Sequence, residues 1–458
     1  MIKFLIFSSI FLTAFYNAYC QDSPIVLPSK SQLVWADCEI GVIIHLDINI
    51  FDPDNFDYKN SQTLPPLKRF KPSKLNTDQW IKAAKDAGAN YALLTAKHGT
   101  GFALWPSSAN DYNVGNTPWK SGHGDIVSDF IASCKKYNIH PGIYYNTNFN
   151  TKYGAGYKPF LTALDQIRYN QMVLKQLTEL WTTYGDLFEI WFDGGIMTNE
   201  KGGIATEVND LITNYQPNAI LFQGPEQNKN LIRWIGNEDA RAPYPNWSTT
   251  DTTTSATGIV KILGLNGKPG GKIWCPGEAD IPNIKQTGWN GGWLWRANQD
   301  SILFSATELT DRYYTSVGQN ANMLMGMAID TSGQFPENAA KIFAKFGMNI
   351  HNSFEKPLAQ KSGTGKVITL QISNKPAKFN HIVIMEDIGK GERIRKYHLE
   401  AHIDGKWKII GEGFSVGHKR IHKINEVVAD EIKLVVDQSI DKPQIRNLSV
   451  FFVPASKL

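Results

Sequence analysis

An α/β architecture, a (β/α)8-like barrel followed by a C-terminal antiparallel β-sandwich, is what this sequence predicts, and two patterns predict it. Over residues 30–355, apolar runs of strand length alternate with segments of helical period, as βαβ units do. After a polar, glycine-containing stretch at 361–366 the helical segments stop. Short β-rich runs follow, separated by turn residues, as in a small sandwich. A length of 458 residues accommodates one large barrel plus a module.

In chain order, residues 41–46 read as the first strand. A helix is expected over 77–87, with Asn76 or Thr77 as N-cap and Gly88 as the stop. Residues 91–97 form the next strand, 125–137 a helix, 139–145 a strand, 164–184 a long helix and 187–192 a strand. Further strands are expected at 219–222, 272–274 and 323–329, then a helix at 337–349. Residues 240–300 are too loop-rich for strands to be counted. In the C-terminal module, strands are expected at 367–372, 381–385, 397–403, 407–410, 431–436 and 448–453. The division is therefore a leader at 1–20, a barrel domain at 21–355, a linker at 356–366 and a sandwich at 367–458.

Composition narrows the function classes. A net charge of +4 is too small to imply a nucleic-acid or membrane-surface binder, and 42% hydrophobic residues exclude a disordered chain. The N-terminus carries one charge, Lys3, then an apolar run over 4–15, and ends in Ala18-Tyr19-Cys20, which fits a signal-peptidase site. The mature protein is expected to start near Gln21 and to be exported, periplasmic or extracellular. A lipid anchor on Cys20 is the alternative, disfavoured because Asn17-Ala18-Tyr19 is a poor lipobox. No later stretch is apolar over enough residues to be a transmembrane helix. Cys38, Cys134 and Cys275 remain, an odd number without CxxC spacing, which argues for buried free thiols over a disulfide framework or a zinc site.

In a (β/α)8 barrel the chemistry sits at the C-terminal ends of the strands. Polar residues stand there on four of the expected strands: His45, Lys97-His98, Tyr144-Tyr145-Asn146 and Asp193. Asp193 follows an apolar run and precedes Gly194-Gly195, which permits close approach of another molecule. Taken alone it reads equally well as a turn aspartate. Its company favours a site: Trp191 shares its strand face, and a second carboxylate, Glu238, lies after another apolar run in Arg233-Trp234-Ile235-Gly236-Asn237-Glu238. Two carboxylates among tryptophan, histidine and tyrosine, without metal-ligand spacing, suit glycosidic bond cleavage. Aromatic faces stack on a sugar ring and neutral groups read its hydroxyls.

These residues resemble glycoside hydrolase family 29, the exo-acting α-L-fucosidases, over essentially the whole mature chain. The matching stretches include Gly41-Val42-Ile43-Ile44-His45, Leu94-Thr95-Ala96-Lys97-His98, Gly142-Ile143-Tyr144-Tyr145 and Glu189-Ile190-Trp191-Phe192-Asp193-Gly194. Arg233–Glu238, Trp274–Asp280, Gly292-Trp293-Leu294-Trp295 and Tyr313–Gly318 fit as well. The Arg233–Glu238 stretch resembles the branch that acts on α-1,3/1,4-linked fucose. The resemblance implies Asp193 as nucleophile and Glu238 as acid/base of a retaining double displacement, with carboxyl groups about 5–5.5 Å apart. It implies sugar contacts at His45, His98, Tyr144 and Trp293, with Trp191 beside them and Trp295 competing for the role of Trp293. Glu278 is the fallback acid/base, and Arg233 reads equally as the partner of a structural acid. A galactose-binding-like C-terminal domain, an oligosaccharide or polysaccharide substrate and no metal or organic cofactor complete the expectation.

One motif departs from the family. Lys-His-His-Asp-Gly-Phe is replaced here by Lys97-His98-Gly99-Thr100-Gly101-Phe102, so a second sugar-binding histidine becomes Gly99. The expectation is a roomier pocket lacking one donor, which raises α-L-galactosidase activity on an algal or plant-type galactan as the alternative. Restoring Gly99→His would then improve fucoside hydrolysis. A barrel that binds carbohydrate without catalysis is the third reading.

Overall fold

The structure is a computed structural model that describes residues 25–155, 162–255, 259–285 and 291–454. The expected leader at 1–20, with Cys20, lies outside the described residues. No described helix is long and apolar enough to cross a membrane.

The first part of the chain runs α1 (Lys30–Cys38), β1 (Ile40–His45), α2 (Thr77–Asp86), β2 (Tyr91–Lys97), α3 (Ile126–Tyr137), β3 (His140–Asn146), α4 (Ala163–Thr183) and β4 (Glu189–Asp193). It continues through α5 (Ala205–Tyr215), β5 (Ile220–Phe222), β6 (Leu231–Trp234), β7 (Thr249–Thr254), β8 (Val260–Leu263), β9 (Ile273–Trp274), β10 (Gly277–Ile281), α6 (Ala306–Thr315), β11 (Ala321–Ala328) and α7 (Glu337–Phe354). Strands β1 to β6, β10 and β11 close in that order into a barrel whose neighbours are parallel throughout. Asn76 caps α2 by accepting from the Asp78 amide, and Asp125 caps α3 by accepting from that of Ser128.

Parallel strands inside a ring of helices are buried on both faces, so they read as unbroken apolar runs. Every residue of β1 and β2 is buried. Val42, Ile44, Ala92 and Leu94 pack in the layer under the helices, while Ile43, Tyr91 and Leu93 point inward with Tyr144 and Trp191.

Two crossovers lack a helix, and there the sequence reading fails. A short loop joins β5 to β6, and between β6 and β10 the chain forms the small sheet β8-β7-β9. The stretch expected as a barrel strand at 272–274 belongs to this sheet. The barrel strands β6 and β10 went unread, the second because Gly277-Glu278-Ala279-Asp280-Ile281 points two carboxyl side chains into the barrel.

The second part holds β12 (Ala359–Thr364), β13 (Val367–Gln371), β14 (Ala377–Glu386), β15 (Ile394–Ile403), β16 (Lys406–Gly413), β17 (Arg420–Ala429), β18 (Glu431–Ser439) and β19 (Gln444–Phe451). Two antiparallel sheets, β12-β19-β14-β17 and β13-β18-β15-β16, enclose a core that includes Leu370, Phe379, Ile384, Leu399, Leu434 and Leu448. The segment expected as a linker carries β12, an edge strand paired with β19. Gln360, Lys361 and Ser362 face solvent, and that polarity is how an edge strand avoids further pairing. Buried Glu392 ties the sandwich to the barrel: both its oxygens accept from the Ser248 amide at 2.9 Å, and Oε1 also accepts from Asn320 at 2.8 Å.

Candidate active site

The barrel brings its strand ends to one rim, and a cavity of about 150 Å3 opens there. Its lining is His45 from β1, His98 after β2, Tyr144 from β3, Trp191 and Asp193 from β4, Gln223 after β5, Trp234 and Glu238 from and after β6, Asp280 from β10, and Trp293 from the following loop. All seven residues singled out in the sequence are thus brought together. A second cavity of about 210 Å3 shares His98, Asp193, Glu238 and Trp293, and adds Tyr58, Gly99, Asn146, Phe149, Gly291 and Leu294.

Asp193 is held by its neighbour strand. Tyr144 and Asn146, two residues apart on one face of β3, both donate to Asp193 Oδ2, at 2.5 and 2.8 Å. Beneath them lies fully buried Lys97, whose ammonium donates to the Asn146 and Phe149 carbonyls and sits 4.5 Å above the Tyr145 ring. Burial pushes the Lys97 amine down to about 7, against the opposing pull of the Asp193 and Asp47 charges. The floor is aromatic: Trp191 stacks on Phe222 at 3.6 Å and on Tyr144 at 5.3 Å.

Glu238 stands on a loop fastened over β10. The Ile235 amide donates to the Glu278 carbonyl at 2.9 Å and the Ala240 amide to the Asp280 carbonyl at 3.0 Å, so the segment between is pinned at both ends. Glu238 itself has φ +47°, a left-handed conformation that costs a non-glycine residue about 1 kcal/mol or more. Its neighbours supply the restraint: Asp239 takes Arg312 at 2.8 Å and Arg241 at 3.0 Å, and Asn237 donates to the Arg241 carbonyl at 2.6 Å.

The histidines form an aromatic wall. His45 lies 5.0 Å from Trp293 and 5.7 Å from His98, and His98 stacks on Tyr144 at 5.6 Å. Burial, with the His98 charge adding, pushes His45 down to about 3, so it is neutral at physiological pH and available to accept or donate one hydrogen bond. Behind His98, buried Asp47 faces Nδ1 at 3.6 Å, and Thr100 donates to the other Asp47 oxygen at 2.6 Å.

The motif departure acquires a physical meaning here, and the expected extra room is corrected. A Cβ on Gly99 would meet Tyr58 Cε1 at 3.0 Å. The Tyr58 ring therefore fills the space beside Gly99, and its hydroxyl is fixed by Asn49 at 2.7 Å.

The structure separates three further alternatives. Glu278, the fallback acid/base, is wholly buried inside the barrel and accepts from Tyr91 at 2.7 Å and Trp191 at 2.9 Å, outside the cavity lining. It lies beside Glu189, and burial pushes both carboxyl groups upward. Among the described residues Arg233 forms no direct ion pair: its guanidinium donates to the Leu265 and Cys275 carbonyls and to Asn246. Trp293 lines the cavity and Trp295 does not. Cys38, Cys134 and Cys275 are buried and free. Among the described residues no group of three His, Cys, Asp or Glu has metal-binding geometry.

Gln223, Trp234 and Asp280 are the lining residues the sequence reading missed. Gln223 follows a three-residue strand in a left-handed conformation, and Asp280 sits in the strand its own polarity hid. The parity of Glu278 and Asp280 was the available signal, since residues two apart share a strand face.

A family model for alpha-L-fucosidases matches residues 34–353. Alpha-L-fucosidase 1 of Arabidopsis thaliana is 30% identical, over 93% of this chain and 87% of its own length. An α-L-fucosidase-like protein of Bacteroides thetaiotaomicron, 35% identical, superposes with a TM-score of 0.86 over 94% of this chain and 100% of the other. A glycoside hydrolase 29 family member from an unknown rumen bacterium, 28% identical, does so with a TM-score of 0.80 over 94% and 78%.

Proposed function

We propose, from the premise that this chain belongs to the α-L-fucosidase family of glycoside hydrolases, that it is an exo-acting retaining enzyme releasing terminal α-L-fucose from glycans. The observation that carries the reading is the convergence of Asp193 and Glu238 on one small cavity walled by Trp191, Trp293, His45, His98 and Tyr144. Because Tyr144 and Asn146 both donate to Asp193 Oδ2, Oδ1 is left as the attacking atom. In the first step the bond from Oδ1 to the anomeric carbon forms as the glycosidic bond breaks, and Glu238 gives its proton to the leaving oxygen. In the second, Glu238 takes a proton from water, the water oxygen bonds to the anomeric carbon, and the Asp193 ester bond breaks.

The stacked floor of Trp191 on Phe222 favours removal of one terminal unit, and the second cavity gives the next sugar a place. The preferred linkage is α-1,3/1,4, from the resemblance of Arg233–Glu238 to that branch. Chemistry is assigned to the barrel domain, the sandwich is an accessory domain, and the apolar leader implies export.

The test is NMR identification of the sugar released from a panel of fucosylated oligosaccharides and α-L-galactosides, with Asp193→Ala as control. L-fucose released by wild type alone supports the reading. Selective release of L-galactose would replace it with the galactosidase, which the Tyr58 ring beside Gly99 disfavours, and absence of any release would favour a binding protein.

A further inference from the structure

Asp280 is the one carboxyl group in the cavity that the double displacement leaves unused. It lies on β10, is 4% exposed, and lines the cavity together with Asp193 and Glu238. Its Oδ1 accepts from the Trp234 indole at 2.8 Å, and no other side chain among the described residues hydrogen-bonds to it. Trp234 also lines the cavity, so the carboxyl group is held from the side at the cavity wall.

Three carboxyl groups share this space, and none of the lining residues is a lysine or arginine. Asp193 has to be ionised to attack, and Glu238 must first give up a proton and later regain one. A third anion beside them would disfavour the Asp193 anion and hold the Glu238 proton back, opposing the first step. The titratable groups around Asp280 are Glu238 on the loop after β6, Glu278 two residues earlier on its own strand, and Asp193, His45 and His98 around the same cavity. Burial therefore pushes the Asp280 carboxyl up to about 8, with the Glu238 and Glu278 charges adding and the Trp234 bond opposing.

We propose that Asp280 is a specificity-determining residue that donates its carboxylic-acid O–H to a hydroxyl of the bound sugar while Trp234 fixes its other oxygen. The proposal rests on the glycosidase reading above. It gives the site a strong donor without adding a charge, and it predicts that sugar binding is lost when Asp280 ionises. Because the folded-state value is raised, the proton is present below about pH 8 and leaves as pH rises through it.

The test reads binding rather than turnover. Calorimetric titration of L-fucose from pH 5 to 9.5 is done in the Glu238→Gln background, which removes the acid/base titration, and again with Asp280→Asn or Asp280→Ala added. The parent is expected to lose about tenfold or more in affinity above pH 8. Asp280→Ala is expected to lose about 10- to 100-fold at pH 6, the range for a lost sugar hydrogen bond, and Asp280→Asn, whose amide still donates, to recover most of it without the alkaline loss. Constant affinity in the parent up to pH 9, or Asn no better than Ala, overturns the proposal. Failure of the parent to bind L-fucose at pH 6 overturns the glycone reading with it, and circular dichroism of each variant confirms folding.

Discussion

Thr100→Val tests how the altered motif supports the sugar wall. The Thr100 hydroxyl donates to Asp47 Oδ1 at 2.6 Å, and Asp47 is 1% exposed. The other oxygen, Oδ2, has no hydrogen-bond partner among the described residues and faces His98 Nδ1 at 3.6 Å. Valine matches the shape of threonine but leaves a buried carboxylate without its donor, a loss of about 1.5–3 kcal/mol for a bond to a charged group. With an unfolding entropy of about 2 cal/mol/K per residue over the roughly 320 residues of the barrel, that lowers Tm by about 2–5 °C. His98 loses its fixed neighbour as well, which at about 0.5–1.5 kcal/mol lowers kcat/KM by about two- to tenfold. Differential scanning calorimetry and hydrolysis of an aryl α-L-fucoside read the two effects, and Thr100→Ser, which keeps the hydroxyl, should recover both. A Val variant that melts with wild type and turns over as fast would show that Thr100 does not hold Asp47.

Gly99→His is expected to lower fucoside turnover, because its Cβ alone would stand 3.0 Å from the Tyr58 ring, whereas the pair Tyr58→Ala/Gly99→His clears the space and recovers activity. A single variant faster than wild type would place the ring elsewhere. Glu278→Gln should flatten the pH dependence of stability. Burial raises the folded-state carboxyl to about 7, so the native state keeps a proton that the unfolded chain loses near pH 4.5, and stability falls as pH rises across that window. Removing one of the pair's two titrations should lessen that fall between pH 5 and 7, read by urea unfolding, and an unchanged slope counts against the buried pair. Arg312→Ala removes one of the two cations that hold Asp239, the residue after left-handed Glu238, and should cut kcat about three- to tenfold with little change in KM. An unaltered kcat would mean that the loop holds Glu238 without the ion pair.

Strands β1 to β4 and the long helices were legible because burial on both faces makes a parallel strand an unbroken apolar run and because Asn76 and Asp125 mark their helix starts. Asp193, Trp191 and Tyr144 were legible for the same reason, since they end such runs with a polar residue or share its face. Helices α1, α5 and α6 were missed, as were strands β12 and β17, whose polar faces mask the period.

Local chemistry is what the sequence determined by itself: the alternation that makes a barrel, the two carboxylates and the aromatic residues around them. Tertiary structure alone decided which polar groups are partners. Glu278 and Asp280 are two residues apart in one strand, yet the closing of the barrel sinks the first among Tyr91, Trp191 and Glu189 and leaves the second at the cavity wall beside Trp234. The contact of Tyr58 with Gly99 joins positions 41 residues apart. No pattern within one segment encodes such pairings, because they depend on how separate strands and loops meet at the rim.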